Sequence, residues 1–132
     1  MRISARLENS RDSNYVLVRT SDNSQQLKIP SKPSGYGSSV NGGEFLCLAL
    51  AACFCNDIYR EAGKKNIAIS KVSVEVSGEF AAEGKPGYDI VYSAKLEGDA
   101  SEKELADLIM HTDKVSEIQN TLRAGVNVKL LQ

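Results

Sequence analysis

The three cysteines of this chain, Cys47, Cys53 and Cys55, all lie in the uncharged stretch LCLALAACFC, residues 46–55. Thiols form disulfides, bind metals or act as nucleophiles, and free cysteines also serve as small apolar core residues. Which of these roles is open to each cysteine depends on the local geometry of the chain.

The pattern around the cysteines is helical from Gly43 to about Ala62, with an acid, Glu44, in the first turn and Gly63 as the expected C-terminal stop. In such a helix, residues two apart point about 200° from each other, and residues six apart lie about 9 Å apart along the axis. Neither Cys53 and Cys55 nor Cys47 and Cys53 can therefore form a disulfide.

A metal site is also not expected, because tetrahedral zinc needs four converging ligands. The chain has one histidine, His111, and no CxxC pair. His111 lies where the helical period of its segment breaks, so we expect a surface residue there. We predict no metal and no cofactor.

The simplest role for Cys47 and Cys55 is that of core residues. Cys53 has small neighbours, Ala49 and Ala52, which leave room beside its thiol. An apolar site raises a thiol pKa, so a reactive Cys53 needs a cationic partner from elsewhere in the fold. From the residues alone, a core role and a reactive role both stay open for Cys53.

The composition is that of an ordinary globular chain of 132 residues, with 42% hydrophobic and 25% charged residues and a net charge of −1. The basic residues are scattered, so neither a nucleic-acid partner nor a membrane surface is expected. The N-terminus has no signal-peptide core, and the apolar run Phe45–Cys55 is far shorter than a bilayer span. We expect one domain, residues 1–132, in the cytoplasm.

The elements that must position the cysteines follow from the pattern of apolar residues. We predict an N-terminal three-stranded meander, a long buried central helix, a β-hairpin, a second helical region of two short helices or one bent helix, and a C-terminal strand. Their order is α+β. The segments are RISARLE, NYVLVRT and QQLKI for the meander, KVSVEVSGEF and YDIVYSAKLEG for the hairpin, and VNVKLL for the last strand.

The central helix poses a covering problem, because residues 45–55 are apolar on all sides. One meander and one hairpin can hardly enclose it. We therefore predict a homodimer with this helix near the interface.

The stretch NGGEFLCLALAACF resembles the signature of the OsmC/Ohr family, in which an Asn-Pro-Glu-like helix start leads to Ala-Ala-Cys-Phe. Here Gly43 takes the proline position. The turn NSRDSN is similar to the family's Arg-Asp turn, the loop GYGSSVNGGE to its glycine-rich approach to the helix, and SEIQNTLRAGVNVKL to its C-terminal segment. The resemblance covers essentially the whole chain.

The resemblance implies an intertwined α+β homodimer and a thiol-dependent reduction of organic hydroperoxides in oxidative stress defence. It implies that Cys53 is the peroxidatic thiol, that Arg11 lowers the thiol pKa and orients the peroxide, and that Glu44 holds Arg11. On sequence alone, Arg11 is simply a solvated turn residue and Glu44 a first-turn acid. The implied partners are a small-molecule hydroperoxide and a thiol reductant.

One departure from the family is clear. Its peroxidases carry a second cysteine before the Asn-Thr-Leu-Arg-like segment, and Ser116 occupies that position here. Three outcomes remain: resolution of Cys53 by an external thiol, a redox sensor, or a protein without peroxidase activity that binds a small apolar ligand. A purely structural partner protein is a further, weaker alternative, and it predicts no pocket around Cys53.

Overall fold

The structure, a computed structural model, describes all 132 residues and is α+β as predicted, with two antiparallel sheets and three helices. The residues group into two compact units, Met1–Phe45 and Leu46–Gln132. The prediction of a single domain stays a prediction. The elements are β1 (Ile3–Ser10), β2 (Ser13–Thr20), β3 (Asn23–Leu27), α1 (Gly42–Lys64), β4 (Ile69–Glu79), β5 (Tyr88–Gly98), α2 (Glu102–Val115) and α3 (Glu117–Ala124).

The N-terminal unit is the predicted meander, with strand order β1-β2-β3. The turn between β1 and β2 holds Arg11 and Asp12, and Asp12 adopts a φ of 59°. The Asp12 amide donates to the carbonyl oxygen of Gly35 at 2.6 Å, so the glycine-rich loop lies against this turn. A Cβ on Gly35 would come within 2.8 Å of the Asp12 carboxylate, and its φ of 89° also requires glycine.

Helix α1 begins in a reciprocal cap. The Glu44 amide donates to Asn41 Oδ1 at 2.8 Å, and the Asn41 amide donates to Glu44 Oε1 at 3.0 Å. The helix passes the predicted stop at Gly63 and ends at Lys64, with the left-handed residue at Asn66, φ 55°. Asparagine is the residue other than glycine that most readily takes this conformation, which explains the later end.

The core of the C-terminal unit forms where α1 and α2 pack on one face of the β4–β5 hairpin. Its fully buried members are Phe54, Ile58, Ala62 and Leu108. The alternation predicted for β4 and β5 supplies the facing layer, in which Val72 pairs with Leu96 and Val74 with Ala94. The aromatic rings of Phe54 and Tyr92 meet edge to face with centroids 5.0 Å apart.

The second helical region is two helices, one of the two predicted forms, with the break at Ser116. Helix α2 begins in a capping box of Ser101 and Glu104, and this Ser-x-x-Glu spacing predicts a helix start from the sequence alone. Helix α3 ends at Gly125 in the left-handed conformation, φ 66°.

The predicted C-terminal strand is wrong, because residues 126–132 pair with no strand of this chain. The segment has the alternation of a strand, but an alternating segment becomes a strand only when a neighbouring edge takes its hydrogen bonds. Its apolar side chains are open to solvent, with Val128 93% and Leu130 83% exposed.

The central helix is less buried than predicted within the single chain. Leu48, in the middle of the apolar stretch, is 59% exposed, whereas Leu50 and Phe54 are buried. By length and composition α1 qualifies as a membrane-crossing helix, a test that the core helix of a soluble protein also passes. The second half of α1 carries Asp57, Arg60 and Glu61 in ion pairs, which fits the core helix of a soluble protein.

Candidate thiol site

Cys53 lies in the middle of α1 and its side chain is half-buried. Its thiol donates a hydrogen bond to Asp57 Oδ2 at 3.3 Å. The two residues are four apart on one helix, so they share a face and the contact is built into α1 itself. A buried carboxylate therefore touches the sulfur directly, since Asp57 is only 5% exposed.

Arg60 forms an ion pair with the second oxygen of the Asp57 carboxylate. Its Nη1 lies 3.0 Å from Asp57 Oδ1 and 2.8 Å from Glu117 Oε1, and its Nε lies 2.8 Å from Glu61 Oε2. One guanidinium thus serves three carboxylates. Its charge is used within this network, so Arg60 is not a free cation for the Cys53 sulfur.

Helix α3 brings its first turn to the thiol. The backbone N–H of Ile118 lies close to the Cys53 sulfur and acts to lower the pKa of its thiol. Helix N-termini carry partial positive charge, which favours a thiolate. Burial nevertheless raises the pKa of the Cys53 thiol above its ordinary value; the Ile118 N–H acts against this rise, and the Asp57 carboxylate adds to it. The groups of the C-terminal unit therefore disfavour the Cys53 thiolate.

Ser116 lies at the junction of α2 and α3, two residues before Ile118. It is fully buried, and its hydroxyl donates to the Thr112 carbonyl oxygen at 2.9 Å. Ser116, which takes the place of the family's second cysteine, is thus next to the first turn of α3, the turn that lies near Cys53. A serine there offers no thiol to a sulfenic acid.

Glu61 anchors the outer part of the network. It is 4% exposed, and its carboxylate accepts from Arg60, from Lys64 at 2.9 Å and from His111 Nε2 at 2.8 Å. These donors lower the Glu61 pKa to about 2. His111 is partly exposed and bonds Glu61 rather than the thiol.

Three atoms of the site have the chemistry of metal ligands. One sulfur and two carboxylate oxygens, from Cys53, Asp57 and Glu117, lie within 4.8 Å of one another. Both carboxylates are already paired with Arg60, which supplies the positive charge that a cation would bring. The arrangement is an ion-pair network around a thiol.

An apolar cavity of about 260 Å³ lies beside the thiol site, between α1, β5 and α3. Leu50, one turn before Cys53 on α1, and Gln119, the residue after Ile118, line it. Gln119 is 3% exposed; its amide nitrogen donates to the Leu50 carbonyl at 3.0 Å, and its buried Oε1 has no partner. The other lining residues are Tyr88, Ile90, Tyr92, Leu122 and Arg123.

The two remaining predicted site residues lie in the N-terminal unit, whereas Cys53 lies in the C-terminal unit. Arg11 is exposed in the β1–β2 turn, with Asp12 Oδ2 4.0 Å from its Nε. Glu44 is exposed, and its carboxylate accepts the Asn41 N–H of the helix cap. The grouping of Arg11 and Glu44 with Cys53 stays a prediction.

Reasoning from the sequence assigned no role to Asp57, Glu117 or the Ile118 N–H. Asp57 had a signal, because an acid four residues after a candidate nucleophile shares its helix face. Glu117 and Ile118 had none, since they follow Cys53 by more than sixty residues and reach it through the packing of α3.

Comparison with known proteins gives a family and a fold. The family model described as OsmC-like protein matches residues 35–131. No curated protein sequence matches the chain.

Several solved structures share the fold. An OsmC-like protein from Mycoplasma pneumoniae is 22% identical, covering 100% of this chain and 99% of its own, with a TM-score of 0.67. An organic hydroperoxide resistance protein OsmC from Legionella pneumophila is 24% identical, covering 98% and 95%, with a TM-score of 0.59. An OsmC-like protein of unknown function from Vibrio cholerae is 14% identical, covering 92% and 93%, with a TM-score of 0.66. The family match extends over most of the chain and includes Cys53, and the chain belongs to the OsmC-like protein family.

Proposed function

We propose that this chain is a thiol-dependent hydroperoxide reductase of oxidative stress defence, with Cys53 as the peroxidatic thiol. The observation that carries the proposal is the position of Cys53, which follows Ala51 and Ala52 within the family match and contacts the first turn of α3. The fold shared with the Legionella pneumophila organic hydroperoxide resistance protein favours organic hydroperoxides as the substrate class.

The reaction requires one electron-pair transfer. The Cys53 sulfur attacks the terminal oxygen of the hydroperoxide, the O–O bond breaks, the alcohol leaves, and Cys53 becomes a sulfenic acid. Because Ser116 supplies no second thiol, an external thiol condenses with the sulfenic acid and releases water. A second external thiol then displaces Cys53 from the mixed disulfide, which completes the cycle.

A thiol reductant is therefore an obligatory substrate, and this can be tested by steady-state turnover. The purified protein, given tert-butyl hydroperoxide and a small dithiol, should consume the hydroperoxide catalytically, and without the thiol it should stop after one equivalent per Cys53. No consumption beyond the uncatalysed rate, with any reductant, would reject the enzyme proposal.

Arg11 is proposed as the cation that favours the Cys53 thiolate, with Glu44 orienting it. Arg11→Met is expected to raise the pKa of the Cys53 thiol, because an opposite charge beside a group favours its ionised form. The rate of Cys53 alkylation by iodoacetamide against pH measures this. Arg19→Met, on the neighbouring strand, is the matched control; a curve for Arg11→Met that coincides with that of the control removes Arg11 from the mechanism.

The apolar cavity beside the thiol favours a second candidate function, a peroxidase-inactive protein that binds a small apolar ligand. Leu50 and Leu122 supply apolar walls, and Gln119 Oε1 offers one buried hydrogen-bond acceptor. Under this alternative, Cys53→Ser leaves the binding of a fluorescent apolar probe unchanged and the turnover assay is negative. A redox-sensor role would instead show oxidation of Cys53 without turnover.

The proposal also includes the oligomeric state of the protein and its location in the cell. Proteins of the OsmC family are soluble, and we propose a cytoplasmic homodimer. Leu48 in the apolar part of α1 and the exposed segment 126–132 are the surfaces that support a second subunit. Light scattering on the purified protein tests this; a monomer mass at micromolar concentration would reject it.

A further inference from the structure

We propose that Asp57 is the proton relay of the Cys53 thiol: it takes the proton from the sulfur as the sulfur attacks, and gives it to the leaving alcohol oxygen. The inference rests on the proposed function and assigns a catalytic role to a residue that the resemblance to the family does not mark.

The Asp57 carboxylate is held with one oxygen in hydrogen-bond contact with the Cys53 sulfur. Asp57 Oδ1 is held by Arg60 at 3.0 Å, and Oδ2 accepts the Cys53 S–H at 3.3 Å. With Asp57 only 5% exposed, water has little access to this carboxylate. Within the C-terminal unit, the charged groups close to the thiol are Asp57 on α1 and Glu117 on α3.

The proton balance closes within the site. The reaction converts a thiol and a hydroperoxide into a sulfenic acid and an alcohol. The terminal O–H stays on sulfur, the O–O electron pair leaves with the alkoxide oxygen, and that oxygen needs one proton. The proton that sulfur loses to Asp57 Oδ2 supplies it, so the step requires no external acid or base.

A relay also explains how a thiol in this setting can react. Burial and the negative charge of Asp57 both disfavour the free Cys53 thiolate. If Asp57 had no other role, it would therefore only slow the attack of Cys53 on the hydroperoxide. If Asp57 moves the proton during the attack, a free thiolate need not form beforehand. Alkoxides are poor leaving groups, and positioned proton transfer typically accelerates such steps by about 10² to 10⁴-fold.

Asp57→Asn separates the relay from simple electrostatics, because asparagine keeps the size and a hydrogen bond but cannot carry the proton. We expect opposite changes in two rates at pH 7. Alkylation of Cys53 by iodoacetamide, which needs only the thiolate, becomes faster. Oxidation of Cys53 by tert-butyl hydroperoxide becomes slower by about 10²-fold or more.

Glu117→Gln is the matched control, since it removes a nearby negative charge without touching the sulfur. In this variant alkylation should become faster, whereas oxidation by the hydroperoxide should show no loss comparable to that of Asp57→Asn, because Asp57 is still present to move the proton. If Asp57→Asn speeds both rates, Asp57 is only an electrostatic neighbour and the relay is overturned. If the wild-type thiol does not react with the hydroperoxide at all, the proposed function fails, and the relay fails with it.

A measurement on the unaltered protein covers the case in which Asp57→Asn does not fold. Below the thiol pKa, alkylation should fall tenfold per pH unit, because the thiolate fraction does. With a relay, the oxidation rate stays level over the same range, because the protonated thiol reacts directly. An oxidation rate that falls in parallel with alkylation overturns the relay.

Discussion

Cys53→Ser is expected to abolish hydroperoxide consumption, to the level of a control without protein, while the fold is retained. A hydroxyl lacks the nucleophilicity of a thiol and is not oxidised by hydroperoxides under these conditions. The substitution replaces one sulfur by a smaller oxygen at a half-buried position and keeps a donor for Asp57. The loss should therefore appear in turnover and not in the circular dichroism spectrum.

The chain offers two matched controls for this substitution, because Cys47 and Cys55 lie on the same helix and are also half-buried. Cys47→Ser and Cys55→Ser should each retain most of the turnover. If the activity follows Cys47 or Cys55 instead, the assignment of the peroxidatic thiol is wrong.

Phe54→Ala is expected to destabilise the protein by about 3 to 5 kcal/mol. Phe54 is fully buried, packs edge to face on Tyr92 and joins α1 to the hairpin through the core cluster. Truncation leaves a cavity between elements that have little freedom to close it. Urea unfolding at one fixed protein concentration measures the change in the free energy of unfolding.

Met110→Ala is the control for Phe54→Ala. Met110 lies two residues after the buried Leu108 on α2 but is 65% exposed, so its truncation should change the free energy of unfolding by less than about 0.5 kcal/mol. Equal losses in the two variants would contradict the position of the core on the Phe54 side of α1.

Local patterns in the sequence predicted most of the fold. The alternation of Val72, Val74 and Val76 gave β4 and its buried face, and Ser101 with Glu104 gave the start of α2. In each case neighbouring residues decide the local structure. The end of α1 was misplaced by two residues, because either Gly63 or Asn66 can take the left-handed conformation and only the packed chain selects Asn66.

Features that depend on distant segments were not predictable in the same way. The segment 126–132 reads as a strand, yet pairing depends on an available edge, which no local pattern reveals. At the candidate site, Cys53 was identified through the family resemblance and its contact with Asp57 follows from helix spacing. Glu117 and Ile118 lie near the sulfur because the helix breaks at Ser116 and α3 packs against α1. No local sequence pattern predicts this packing.

The proposed nucleophile lies in an unusual environment. The Cys53 thiol donates to a buried carboxylate and lies beside the N-terminus of α3, and Arg60, the guanidinium that pairs with this carboxylate, is occupied by three acids. Ser116 removes the internal route for resolving an oxidised thiol. The expected consequence is a sulfenic acid that persists until an external thiol arrives.

That consequence gives the most direct test of the central claim, that Cys53 is the peroxidatic thiol. The protein is treated with one equivalent of tert-butyl hydroperoxide in the presence of dimedone, with and without a small thiol, and each cysteine is quantified by mass spectrometry. We predict a dimedone adduct on Cys53, absent from Cys47 and Cys55, that is replaced by a mixed disulfide on Cys53 when the thiol is present. An unmodified Cys53 at a peroxide concentration that oxidises a free cysteine would contradict the account.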